Sequence, residues 1–132
     1  MRRTAGCACG QLILTCTGDP IRVSICHCHA CKRLSGSAFS WNARWESAQV
    51  TITGSYREWR RTGDEGTTIT NSFCPDCGTT VFYGLGDAEG QIAVRAGCFA
   101  DETLPPPSVS VYDPARRVDW LHIDAPGLTR TG

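Results

Sequence analysis

The chain has 132 residues, 41% of them hydrophobic, and its thirteen basic and thirteen acidic side chains cancel to a formal net charge of zero. That is enough for one compact domain with its own core and too little for two, and the composition is that of a globular chain. The charge balance speaks against non-specific nucleic-acid binding, which needs surplus positive charge to neutralise phosphates, and no apolar run approaches the roughly 20 residues of a membrane span.

Arg2-Arg3 is followed only by Leu12-Ile13-Leu14 as an apolar run, too short for a signal peptide, so a cytoplasmic location is expected. Gly6-Cys7-Ala8-Cys9-Gly10 then brings two thiols to one face of an extended chain, between glycines that let the backbone bend around an ion. Gln11 to Thr17 reads as a strand, Gly18-Asp19-Pro20 as a turn and Ile21 to Cys26 as a returning strand. Ala30 to Leu34 makes a short helical turn that Ser35-Gly36-Ser37 stops. Ala38 to Trp45 and Gln49 to Thr53 are expected as strands, with Ser55 to Arg61 as partner of the second. Gly63 to Gly66 reads as a hairpin loop with Asp64 and Glu65 solvated.

Thr67 to Phe73 leads into the tight knuckle Cys74-Pro75-Asp76-Cys77-Gly78. Thr79 to Tyr83 follows as a strand, turned back by Gly84-Leu85-Gly86-Asp87, and Gln91 to Ala96 alternates again. Asp101 to Pro107 is irregular and stiffened by three prolines. Val109 and Val111 mark one more short strand, Asp113-Pro114 begins a turn, and the tail from Pro126 is expected to fray. Short strands with Gly and Pro turns, and no amphipathic helix of useful length, predict an all-β, mainly antiparallel domain with short helical turns. Residues 1–132 are expected as a single domain with a core of about 4–124.

Nine cysteines need a reason. The count is odd, no export signal accompanies them, and most fall in Cys-x-Cys or Cys-x-x-Cys groupings. A disulfide framework fits this poorly; metal ligands or redox centres in a reducing compartment fit it well. Cys7, Cys9, Cys74 and Cys77 make a complete four-thiolate set, and a zinc ion with four protein ligands is closed and structural. The competing reading of Cys74-x-x-Cys77 as a redox pair lacks the βαβ surroundings such pairs have.

Cys26-His27-Cys28-His29-Ala30-Cys31 carries the second set. Cys26 and Cys28 share a face in an extended chain, and Cys31 joins Cys28 if a helical turn follows. Three thiolates leave zinc a fourth, open position. A divalent ion with three thiolates carries net negative charge and is soft, so the open position favours a substrate thiolate over a hydrolytic hydroxide. By strand periodicity His27 and His29 face away from the thiols, as supporting or surface groups. His122 is isolated, and Cys16 is expected to be a small buried residue. Cys98 is either a fourth ligand of the three-thiol set or simply buried. Lys32 and Arg33 are surface charge or serve to neutralise the anionic centre, and Ser35 and Ser37 are possible hydrogen-bond donors near it. The cluster of Arg57, Arg60 and Arg61, balanced by Glu58, is expected on a solvated strand face.

These motifs together, with Gly36-Ser37-Ala38-Phe39, with Phe73 before the knuckle, with Arg95-Ala96-Gly97-Cys98-Phe99-Ala100-Asp101 and with the late Trp120, resemble the glutathione-dependent formaldehyde-activating family, which also includes centromere protein V. The resemblance runs from about Gly6 to Trp120. It implies a β-tent fold with two zinc ions per chain, a structural one on Cys7, Cys9, Cys74 and Cys77 and a catalytic-type one on Cys26, Cys28 and Cys31. It also implies a carbon–sulfur lyase that forms S-(hydroxymethyl)glutathione from formaldehyde and glutathione. On that reading the partner is a small thiol or thiol–aldehyde adduct, with no nucleic acid and no membrane, and His27, His29 or a water moves the proton. Two other readings follow from the same residues: a non-catalytic, zinc-stabilised binding module, and a sensor whose Cys26, Cys28 and Cys31 release zinc on oxidation.

Overall fold

The alternation along the chain resolves into strands in two sheets. A computed structural model describes residues 1–63, 66–85, 90–101 and 103–132. The loop readings at Asp64-Glu65 and Gly86-Asp87 lie outside the described residues. The strands are β1 (Arg2–Gly6), β2 (Ile13–Thr17), β3 (Arg22–Cys26), β4 (Ser40–Glu46), β5 (Val50–Thr53), β6 (Arg57–Thr62), β7 (Thr68–Phe73), β8 (Thr80–Leu85), β9 (Gln91–Arg95), β10 (Val109–Val111) and β11 (Thr129–Arg130). Helix α1 (His29–Ser35) lies between β3 and β4, and α2 (Asp113–Arg116) follows β10. The fold is therefore mainly β with short helical pieces, as expected.

One sheet has the order β1-β2-β5 and the other β11-β10-β3-β4-β9-β8-β7-β6. The core lies between them. Ala5, Leu12, Leu14 and Cys16 come from the side of the small sheet; Val23, Ala43, Trp45, Val81 and Val94 come from the large one. Trp45 is fully buried and is the largest of these side chains. Its indole N–H donates to the carbonyl of Gly18 at 3.0 Å, so burial leaves no donor stranded, and its ring packs 5.4 Å from that of Phe99.

Two expectations are corrected. Ser55 to Arg61 is not the partner of the preceding strand: β5 pairs with β2, and β6 pairs with β7 at the edge of the other sheet. The reason lies at Gln11. Its side-chain amide donates to the Ser55 carbonyl at 2.6 Å and accepts from the Ser55 N–H at 2.9 Å, which pins the chain where a hairpin would have to turn back. The tail from Pro126 is not simply loose either. Thr129–Arg130 forms β11, parallel to β10, with Thr129 N–H on the Ser108 carbonyl and Thr131 N–H on the Ser110 carbonyl, each at 2.9 Å. The crossover through α2 gives the chain the length that parallel pairing needs.

Gly54, at the end of β5, has φ of +102°, and a Cβ there would collide with the Gln11 carbonyl. Gly54→Ala should destabilise the protein by roughly 2–6 kcal/mol, the sum of left-handed strain and overpacking. The midpoint of chemical denaturation measures it; an unshifted midpoint would mean that the Gln11 clamp yields freely.

The period of two that buries Val23 and Ile25 sends Arg22, Ser24 and Cys26 to the opposite face of β3. On β4 the same rule buries Ala43 and Trp45 in the core and sends Asn42 and Arg44 the other way. The large sheet thus has one face on the core and one face free for a site.

Candidate metal centres and the cleft beside them

The first thiol set joins the turn after β1 to the knuckle after β7. The sulfurs of Cys7, Cys9, Cys74 and Cys77 all lie within 4.8 Å of one another. Cys7 to Cys9 and Cys9 to Cys74 are each 3.7 Å apart. A tetrahedron with zinc–sulfur distances of about 2.3 Å has an edge of about 3.8 Å, so the donor set fits zinc in number, chemistry and size. Backbone and side-chain donors face the sulfurs. Leu12 N–H points at Cys7 Sγ (3.3 Å), while Gln11 Nε2 (3.0 Å) and Asp76 N–H (3.4 Å) point at Cys74 Sγ. Against burial, the Leu12 N–H draws the Cys7 thiol below its ordinary value. The Thr79 hydroxyl, with backbone N–H groups, holds Cys77 down to about 5. Gly78, with φ of +78°, closes the knuckle by returning its N–H to the Cys74 carbonyl at 2.9 Å.

The second set sits where β3 ends and α1 begins. Cys26 is the last residue of β3, and Cys28 caps α1, its sulfur accepting the Cys31 N–H at 3.3 Å. The helix then carries Cys31 back over the pair, so that three sulfurs lie within 4.8 Å of one another. A strand followed by one helical turn converges them, as the spacing predicts. Gly36, in the left-handed region, ends the helix. The Cys31 thiol is held down to about 5, first by the hydrogen bond from Cys26; the Ser40 hydroxyl, Cys28 and the Arg95 charge add to this against burial. The same contact pushes Cys26 up. Both cysteine sets have the donors to hold a metal ion.

All three cysteines of the second set line a cleft of about 450 Å³ on the free face of the large sheet. Arg22, Arg44, Arg61, Arg95, Asn42 and Tyr83 line it too. Arg95 bridges the side-chain carbonyls of Asn42 (2.8 Å) and Asn71 (3.0 Å) and lies 4.4 Å over the Tyr83 ring. Burial raises the Tyr83 phenol above its ordinary value, against the pull of the Arg95 charge.

His27 faces away from the cleft, as periodicity predicts. It is fully buried, with Nε2 3.0 Å from the Ser110 hydroxyl, which in turn donates to Asp113 at 2.6 Å. Asp113 accepts from Arg117 at 3.1 Å and faces Arg130 at 3.6 Å. This buried network ties the thiol knuckle to β10, α2 and the tail. His29 and His122 are exposed. Cys16 is buried in the core, and Cys98 contacts the Thr80 carbonyl at 3.9 Å, apart from the three converging sulfurs. Lys32 turns to the Arg116 carbonyl, and Ser35 bonds the carbonyls of Cys31 and Phe39, closing the helix end. Of the arginine cluster on β6, Arg57 and Arg60 are exposed as expected, but Arg61 reaches the cleft. Arg22, Arg44 and Arg95 were not singled out by sequence reasoning. The available signal was their even spacing: Arg22 lies four residues before Cys26 in one strand, so both share a face.

The fold is similar to that in the crystal structure of a Rhodobacter sphaeroides protein, with a TM-score of 0.58 at 15% identity, covering 78% of this chain and 91% of that one. No curated protein matches the sequence. A family profile described as glutathione-dependent formaldehyde-activating enzyme matches residues 2–114, a span that contains both thiol sets and every arginine of the cleft. The chain belongs to the glutathione-dependent formaldehyde-activating enzyme family.

Proposed function

We propose that the protein is a zinc-dependent carbon–sulfur lyase acting on a thiol–aldehyde adduct such as S-(hydroxymethyl)glutathione. The observation that carries this reading is the contrast between the two thiol sets. Four sulfurs close one set on itself, whereas the three of the other open into a cleft. Cys7, Cys9, Cys74 and Cys77 hold a structural zinc, and Cys26, Cys28 and Cys31 a reactive one. Zinc at the second set supplies a soft open position for a substrate thiolate.

In the synthetic direction the thiolate sulfur gives its electron pair to the aldehyde carbon, forming the C–S bond. The carbonyl π pair moves to oxygen, which takes a proton. The reverse removes that proton and expels the thiolate. His27 and His29 do not line the cleft, so the proton does not come from them. Tyr83 carries a cleft hydroxyl that stays protonated at neutral pH, and it donates to the developing oxyanion, with replacement from water. Nine free thiols suit a reducing compartment, and the reading places the protein in the cytoplasm.

The test follows formaldehyde and glutathione exchanging with their adduct by NMR, with and without protein that carries two zinc ions per chain by elemental analysis. Exchange faster than the uncatalysed rate is expected. No acceleration with any member of a panel of thiols and aldehydes would sink the lyase reading.

A further inference from the structure

The two thiol sets differ in what fixes their geometry. Four sulfurs around one ion constrain one another, whereas three leave a side open, and their directions depend on the chain that carries them. His27 stands between Cys26 and Cys28, so whatever holds His27 holds both. Its backbone N–H donates to the Val111 carbonyl at 2.9 Å, where β3 runs parallel to β10, and its ring packs 5.9 Å from that of Phe39.

The buried ring is steered through one nitrogen. Nε2 lies 3.0 Å from the Ser110 oxygen and 3.5 Å from Asp113 Oδ2. The single Ser110 proton goes to Asp113, so the Ser110 oxygen can only accept, which assigns the imidazole proton to Nε2. Nδ1 is buried with no hydrogen-bond partner among the described residues. Ser110 and Asp113 are buried like His27. Asp113 is gripped in turn: Arg117 Nε donates to it at 3.1 Å, Arg130 of β11 faces it at 3.6 Å, and its own N–H donates to the Thr131 carbonyl at 3.0 Å. Apolar side chains of the same volume often serve stability as well as buried polar groups do, so a buried His–Ser–Asp chain asks for another reason. A satisfied network fixes direction, which apolar packing does less sharply.

We infer that His27, Ser110 and Asp113 are positioning residues of the three-thiol centre: their hydrogen-bonded chain anchors the Cys26–Cys28 loop to β10 and α2 and sets the directions of its sulfurs. The inference rests on the reading that this set holds zinc, and not on the lyase chemistry.

Titration of the zinc-loaded protein with a chromophoric chelator tests it, the ion of the four-thiol set serving as internal control. Ser110→Ala and His27→Leu should each hold the second zinc about 10–100-fold more weakly and leave the first unchanged. His27→Gln, whose amide N–H can reach Ser110, should recover most of the loss. Leu14→Val, a core change on the small sheet, should hold both ions as the parent does. With cobalt in place of zinc, the spectrum added by the second ion reports its thiolate geometry. That spectrum should change in Ser110→Ala and His27→Leu and not in Leu14→Val. Near-UV circular dichroism checks folding, and Ser110→Ala, the smaller change, decides alone if His27→Leu does not fold. Parental affinity and spectrum of the second ion in the broken-chain variants would overturn the inference, as would loss of both ions together in step with the melting temperature. A parent that takes up only one ion would overturn it along with the zinc reading of the second set. Two ions, the second sensitive to Ser110, with no exchange of any adduct would leave the positioning chain standing and sink the lyase.

Discussion

Cys74→Ser is expected to leave a protein that does not hold its fold at room temperature. Cys74 is fully buried, its sulfur 3.7 Å from that of Cys9, and the pair closes a loop across 65 residues of sequence. A link of that span joins the start of the chain to its middle and removes much of the freedom of the unfolded state. The free energy of a structural zinc site, about 10–16 kcal/mol in small zinc-binding peptides, is also folding free energy. A domain of this size is stable by about 5–15 kcal/mol in all. Serine offers a hard, protonated oxygen in place of a thiolate, and it leaves the Gln11 and Asp76 N–H groups facing a poorer acceptor. Circular dichroism and zinc content measure the outcome. A variant that melts cooperatively within a few degrees of the parent would mean that the four-thiol set is not what holds the two sheets together.

The four-thiol set was legible in the sequence because its chemistry is local in pairs. Cys7 and Cys9 share a face by strand periodicity, Cys74 and Cys77 share a knuckle, and four sulfurs are the full complement of one ion. The three-thiol set was legible for the same reason, since a strand and a helical turn of six residues contain it. The facing of His27 away from the thiols also follows from period alone. What that period does not carry is the identity of the partner across the sheet. Ser110 and Asp113 come to His27, and Arg130 to Asp113, from far along the chain, and no spacing near Cys26 announces them. The pairing of β5 was misread for a related reason. Alternation marks a strand but leaves its neighbour open, and a glycine followed by another strand looks like a hairpin until the Gln11 clamp is seen. The arginines that line the cleft, Arg22, Arg44, Arg61 and Arg95, come singly from β3, β4, β6 and β9. Each is an ordinary strand arginine by itself, and only the sheet order brings them to one face.

Cys31→Ser is expected to separate function from fold in the opposite way to Cys74→Ser. Cys31 is half-buried at the cleft and lies on α1, a helix that contributes no fully buried residue, so the core does not depend on it. Its N–H still caps onto Cys28, and the backbone has no reason to change. The sulfur, however, is the thiolate that Cys26, Ser40, Cys28 and Arg95 hold in its charged form. A serine hydroxyl keeps its proton at neutral pH and is a hard donor, so the set falls to two soft ligands. Zinc content should drop from two ions per chain to one while the melting temperature stays within a few degrees. Exchange between thiol, formaldehyde and adduct should fall more than about a hundredfold, since altering a group that merely orients a metal ligand already costs about 10–100-fold. The two measurements together decide between readings. Loss of both zinc and turnover supports catalysis at the three-thiol set. Loss of zinc with exchange undiminished would place the chemistry elsewhere and leave this set a binding or sensing element, whereas retention of both zinc ions would show that Cys31 is not a ligand at all.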